Sequence, residues 1–172
     1  TLGNRSPKDE IDDFLLALDA FPTLKVLFTM PNSDQGGDVI RQAIEDYCRW
    51  NSDRCSCYSS LGLKRYLSAL RYVTVVAGNS SSGLLEVPSV HVPTLNIGER
   101  QKGRTHGASV YDCASDTVSI IAGLKTVLSE EFREMACHAV NPYEKENTAQ
   151  TIFDVIATYP LDKLHQKIFY NL

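Results

Sequence analysis

A run of small and hydroxylated residues, Gly78-Asn79-Ser80-Ser81-Ser82-Gly83, follows an apolar segment and leads into Leu84, Leu85 and Glu86. Glycine lets the backbone approach a ligand closely, serine hydroxyls donate to oxygen, and a helix N-terminus offers unpaired N–H groups with partial positive charge. That combination suits a phosphate. A turn with capping serines would have the same composition. The run is not a P-loop, because Leu84 stands where the lysine is needed, and it lacks the Gly-x-Ser-x-Gly of a nucleophile elbow. Glu86 is the only charged residue between Tyr72 and Gly98. A carboxylate in so apolar a stretch calls for a partner, such as the two hydroxyls of a ribose, although a surface glutamate on a short helix is the plain alternative. Arg100, Lys102 and Arg104 then set three cations within five residues. Arginine can neutralise a diphosphate as a planar fork and lysine as a point charge, whereas a solvated basic loop would need neither. Asn32 and Asp34 lie in another loop, residues 31–37, where turn formation alone would justify them.

Other chemistry finds little support. His91, His106, His138 and His165 are dispersed, and no Ser/His/Asp or Cys/His spacing and no dinucleotide Gly-x-Gly-x-x-Gly is present. Cys55 and Cys57 have no second pair at zinc spacing, so no metal site is expected. The residues alone lead to a phosphate-bearing ligand, and a nucleotide is the expectation.

These loops need elements to hold them. Ser6-Pro7-Lys8-Asp9 carries the cap, the first-position proline and the acidic first turn of a helix, which continues on the stripe Ile11, Phe14, Leu15 and Leu18. Residues 24–30 form an apolar run fit for a buried strand. Val39, Ile40, Ala43, Ile44 and Tyr47 mark a second helix. Residues 55–58 read as a strand, and Leu63, Tyr66, Leu67 and Leu70 as a helical stripe. Strands follow at 73–77, 92–97 and 109–113, with a short helix at 84–89. Asp116 caps a helix through Ile120, Ile121, Leu124 and Leu128, and helical pieces at 130–137, 147–157 and 161–169 complete the chain. Alternating strands and helices predict an α/β fold, a parallel sheet with helices on both faces. In such sheets the ligand crevice lies outside the carboxyl ends of the strands, where the three loops fall.

The 172 residues suit one domain, and no repeat or linker divides them. Seventeen basic and twenty-one acidic residues give a net charge of -4, with 43% hydrophobic and 22% charged residues. This balance excludes low complexity and disorder, and the scattered cations argue against nucleic acid as a partner. The stretch from 72 to 98 is too interrupted by Asn79, the serines and two prolines to cross a membrane. Five cysteines without repeated spacing suit reduced thiols in a cytoplasmic protein. Thr1 in place of Met, with no signal-peptide pattern in residues 1–8, suggests an excised segment.

Taken together, Pro31-Asn32-Ser33-Asp34, Ser60-Leu61-Gly62-x-Lys64-Arg65-Tyr66-Leu67, Gly78-Asn79-Ser80-Ser81-Ser82-Gly83-x-x-Glu86, Pro93-Thr94-x-Asn96-Ile97-Gly98-x-Arg100-Gln101-Lys102-Gly103-Arg104 and Asn141-Pro142-Tyr143 resemble the C-terminal half of the hydrolysing UDP-N-acetylglucosamine 2-epimerases. The nearest branch is the bacterial one that feeds sialic-acid-type sugars of surface polysaccharide. The resemblance implies a Rossmann-like domain, the second of a GT-B-type two-domain enzyme. Residues 1–172 would be the UDP-binding domain, 159–172 a helical tail, and the N-terminal domain of the same enzyme a partner absent from this chain. It implies elimination of UDP from UDP-N-acetylglucosamine, or a close 2-acetamido relative, through a glycal, then addition of water to give an N-acetylmannosamine-type sugar, with neither metal nor nicotinamide cofactor. By the same resemblance, UDP contacts fall on Asn32, the Leu61 backbone near the base, Ser80 and Ser81 at the phosphates, Glu86 at the ribose and Arg100 beside the diphosphate.

The family's catalytic acids belong to the other domain, and its His-Pro histidine would precede Thr1, so this chain alone is expected not to turn over. Oligomeric state stays open, a homo-oligomer included. A GT-B glycosyltransferase domain would keep the sheet and the ribose contact but fits the serine-rich and cationic loops less well. A non-catalytic nucleotide-sugar-binding module would fit the missing catalytic residues.

Overall fold

The computed structural model describes residues 5–31 and 36–160. Helix α1, Pro7–Asp19, starts where its sequence dictates: the Ser6 side chain accepts the Asp9 N–H, Pro7 occupies the first turn, and Asp9 and Glu10 face the positive end. Strand β1, Val26–Thr29, follows, then α2, Gly37–Trp50, and β2, Cys55–Tyr58. Next come α3, Gly62–Ala69, β3, Val76–Gly78, the short α4, Ser82–Leu85, and a 3-10 turn, Val87–Val90. The chain continues through β4, Thr94–Ile97, β5, Val110–Cys113, α5, Thr117–Leu128, α6, Glu130–Cys137, and α7, Thr148–Thr158. Asp116 and Ser129 cap α5 and α6 by accepting the N–H groups of Ser119 and Phe132. The expected helix at 161–169 lies outside the described residues.

Every strand pairing is parallel, β1 with β2 and β4 with both β3 and β5. The strands form two hydrogen-bonded pieces, β1-β2 and β3-β4-β5, instead of one continuous sheet. An apolar layer joins them: Phe28 of β1 and Leu95 of β4 belong to one buried cluster with Ile11, Leu15 and Leu18 of α1, Ile44 and Cys48 of α2, and Ile120, Leu124 and Val127 of α5. Full burial of a Leu, Ile or Phe side chain stabilises by about 1.5–3 kcal/mol each, so this cluster, more than any ladder, fixes the two pieces. A second cluster of Leu70, Val87 and Val92, with Tyr66 and Val76 against it, packs α3 and the 3-10 turn. Helices therefore pack on parallel strands through two apolar clusters, as an α/β fold does.

Two prolines trim the elements relative to expectation. Pro93 has no N–H to give a ladder, so β4 begins at Thr94 and β3 pairs from Val76, where the Val76 N–H reaches the Pro93 carbonyl at 2.9 Å. Pro88 has no amide to bond the Leu84 carbonyl, so the expected single helix at 84–89 divides into α4 and the 3-10 turn, where Pro88 falls in the first turn. The chain groups into two compact units, residues 1–142 and 143–172. Within the second, α7 is held by its own i,i+4 bonds, such as Gln150 Nε2 to Asp154 Oδ1 at 2.7 Å.

Candidate nucleotide site

The serine-rich run sits where β3 ends. Parallel pairing sets Gly78 beside Asn96 and Asn96 beside Asp112, so the loops after β3 and β4 leave the sheet side by side. Gly98, with φ +77°, makes the sharp exit from β4 that turns residues 99–104 back. Gln101 then closes the arrangement. Its side chain is 5% exposed, and Nε2 donates to the Asn79 carbonyl at 2.7 Å. The serine-rich loop and the cationic loop are thereby one surface.

The base of the loop is fixed from below. Thr94 Oγ1 donates to the Gly83 carbonyl at 2.9 Å, and a Cβ at Gly83 would lie 2.7 Å from Thr94 Cγ2, so only glycine permits this approach. Asn141 is 5% exposed and its Nδ2 donates to the Leu85 carbonyl at 2.9 Å and to Ser89 Oγ at 2.7 Å, which fastens the segment after α4. Above this base the hydroxyls are differently employed. Ser80 Oγ accepts the Ser82 N–H at 3.3 Å, which leaves its own proton to donate. Ser81 precedes α4 but makes no side-chain capping bond. The capping-serine explanation thus does not account for Ser81. With only four residues, α4 contributes little dipole, and the hydroxyls rather than the helix end are the donors the loop offers.

Leu61, Ser80, Ser81 and Arg100 line one open cleft, together with Gln101 and Arg104. Ser80 also lines a smaller adjoining cavity of about 290 Å³ with Glu86, Ser82, Tyr66 and Thr29. Five of the six expected contact residues therefore line these two spaces, which share Ser80 and Tyr66. Asn32, with Ser33 and Asp34, lies outside the described residues. Glu86 ends α4 on an exposed position, which corrects the picture of a carboxylate confined among apolar groups. Of the three cations, Lys102 is paired on the surface with Glu99 at 2.7 Å, an interaction that holds the lysine above its usual pKa and the carboxylate below its own. Arg100 is exposed at the cleft wall.

Three sets of contacts are not legible from residue type and spacing, although Tyr66, Asn96 and Gln101 stand in the motifs quoted above. Gln101 reads as one more polar residue among cations. Tyr66 reads as a member of a helical stripe, yet its hydroxyl lies 2.5 Å from Ser82 Oγ, and burial followed by the Glu86 carboxylate pushes its phenol up despite the opposing Ser82 bond. His106 Nε2 approaches Asp112 Oδ2 at 3.1 Å while Asn96 Nδ2 donates to Asp112 Oδ1 at 2.7 Å. That group lines neither cavity, and the β4–β5 register, which sets Asn96 beside Asp112, brings it together.

No group of three or more His, Cys, Asp or Glu side chains among the described residues is arranged to hold a metal ion. No helix among them is long and apolar enough to cross a membrane.

Residues 1–157 match the family model described as UDP-N-acetylglucosamine 2-epimerase. A polysialic acid biosynthesis protein of Escherichia coli is 36% identical over the whole of this chain and 44% of its own length. A GDP/UDP-N,N'-diacetylbacillosamine 2-epimerase (hydrolyzing) of Campylobacter jejuni is 33% identical over 78% of this chain and 34% of its own length. Among solved structures, the Neisseria meningitidis UDP-GlcNAc 2-epimerase bound to UDP-GlcNAc aligns with a TM-score of 0.62 at 15% identity, over 88% of this chain and 41% of that one. A Listeria monocytogenes protein described as a UDP-N-acetylglucosamine 2-epimerase aligns with a TM-score of 0.71 at 17% identity, over 99% of this chain and 44% of that one. The chain spans less than half the length of these relatives, and the two solved structures speak for the fold alone.

Proposed function

The chain belongs to the UDP-N-acetylglucosamine 2-epimerase family, and we propose that it is the UDP-binding half of a hydrolysing member, acting in the cytoplasm on UDP-N-acetylglucosamine or a close 2-acetamido relative. The observation that carries this reading is the Gln101 bridge to Asn79, which makes the serine-rich and cationic loops one surface at the strand ends. Hydroxyl donors on one side and an arginine on the other suit a diphosphate. Glu86, one short helix away, suits a ribose, since an ionised carboxylate only accepts hydrogen bonds and a vicinal diol offers two donors. Leu61, at the start of α3, lines the same cleft, and its backbone is assigned to the base, with Asn32 assigned to the same ligand. The family match and the name of the Campylobacter jejuni relative, a 2-epimerase of a GDP/UDP-linked sugar, support a nucleotide sugar as ligand.

In the mechanism we propose, this half supplies leaving-group stabilisation. Charge develops on the β-phosphate as the C1–O bond breaks, and preorganised donors at Ser80, Ser81 and Arg100 stabilise it more in the transition state than in the ground state. The C2 proton leaves to a base on the half of the enzyme that this sequence does not contain, and water then adds to the glycal. No metal or nicotinamide takes part.

Incubation with UDP-N-acetylglucosamine tests the division of labour. This chain alone releases no UDP, whereas a longer protein joining it to an N-terminal half like that of its relatives releases UDP and an N-acetylmannosamine-type sugar. Release by this chain alone would refute the division, and intact nucleotide sugar with the longer protein would refute the reaction.

A further inference from the structure

The Tyr66 and Ser82 hydroxyls, 16 residues apart in sequence, meet across α3 and α4 at 2.5 Å. Neither belongs to the contacts that the epimerase reading uses. Tyr66 is half-buried against the cluster of Leu70, Val87 and Val92, so its ring is held in place from below. Ser82 is the first residue of α4, its N–H is directed to Ser80 Oγ at 3.3 Å, and its carbonyl receives the Glu86 N–H at 3.0 Å. Its backbone is therefore committed, and its hydroxyl is what can still turn. Two hydroxyls in contact use one proton between them, and the second proton remains for another acceptor. A phenol is more acidic than an aliphatic alcohol and is the better donor of the two, which favours the tyrosine as donor.

We propose that Tyr66 is a positioning residue for the diphosphate loop: its O–H donates to Ser82 Oγ and so aims the Ser82 proton at a phosphate oxygen of the bound nucleoside diphosphate. The proposal rests on the UDP reading and adds a residue pair and a direction to it. Hydrogen bonds in such a chain polarise one another, so the relay is stronger than two separate bonds. The same geometry makes it act on the phosphates and not on the nucleoside, because removing the tyrosine hydroxyl leaves the ring where it is.

Calorimetric titration of UDP and of uridine into this chain and its Tyr66→Phe, Ser82→Ala and doubly substituted variants tests the relay. Each single variant loses roughly tenfold or more in UDP affinity, the range of a hydrogen bond to a charged group. Uridine affinity stays level, and the double variant is no weaker than either single one, as expected for two groups acting as a unit. Equal losses for UDP and uridine, or losses that multiply in the double variant, would overturn the relay. If Tyr66→Phe fails to fold, the Ser82→Ala variant carries the same UDP-against-uridine comparison. Wild-type UDP binding with unchanged affinity in Tyr66→Phe removes the relay alone. No UDP binding by the unsubstituted chain removes the UDP reading and the relay with it.

Discussion

The side-chain amide of Gln101 donates from Nε2 to the carbonyl of Asn79 at 2.7 Å while the rest of the side chain is almost wholly buried. One residue of the cationic loop therefore holds the first turn of the serine-rich loop. Asn79 itself is exposed, so its carbonyl can turn to water and the bond contributes about 0.5–1.5 kcal/mol. Gln101→Ala is expected to lower unfolding stability by that amount and to weaken UDP, both measurable by denaturant titration with and without ligand. A variant equal to the parent in both would mean that the loops meet without this bond.

Glu86 presents a different prediction because it is exposed and contributes little to packing. Glu86→Ala should weaken UDP by about 1.5–3 kcal/mol, as loss of hydrogen bonds to a charged group does, and leave stability close to the parent. Titration with UDP and with its 2'-deoxy counterpart checks the assignment. A parent that binds both equally well would remove the ribose contact.

Arg100→Lys keeps the charge and discards the planar fork. If the fork grips the diphosphate, UDP affinity falls several-fold and UMP affinity falls less. An equal response of both nucleotides would assign Arg100 to general attraction.

Alkaline pH should destabilise the fold through its buried thiols and phenol. Burial, before the neighbouring thiols Cys57 and Cys55, pushes Cys48 up to about 12; burial likewise pushes Cys113 up to about 11, and burial with the Asp19 hydrogen bond pushes Tyr47 up to about 12. A folded-state pKa above the unfolded one means that the stabilisation is complete below the unfolded value and is lost as pH rises through the folded one. The reference values here are 9.0 for cysteine and 10.0 for tyrosine, so stability should decline from about pH 9 towards 12. Thiol labelling of the native chain at pH 8 should find exposed Cys137 first and Cys48 and Cys113 late. Rapid labelling of Cys48 would contradict its burial.

Much of this fold is written locally. Ser6 and Asp116 announce the starts of α1 and α5 because a cap is a contact across three residues, and the stripe of Ile11, Leu15 and Leu18 names the buried face of α1. The candidate loops are legible for a similar reason, since their composition is local and parallel sheets put strand ends to use. The contacts that join those loops are not local. Gln101 comes to Asn79 because β4 pairs with β3, and Tyr66 meets Ser82 because Tyr66 packs on the cluster that joins Leu70 to the 3-10 turn after α4. The Gln101 bond leaves no periodic trace, and the stripe that contains Tyr66 marks a helix face without marking the Ser82 contact. Asn141 belongs to a recognisable motif, but its work as a donor to Leu85 and Ser89 appears only when the chain is folded.

The most direct test of the central claim is calorimetric titration of UDP, with UMP and NAD as controls, into this chain and its Ser81→Ala and Glu86→Ala variants. The site described above predicts saturable UDP binding, weaker UMP, no NAD, and a marked loss of UDP in both variants. Equal binding of UDP by the parent and both variants, or no preference for UDP over NAD, would contradict it.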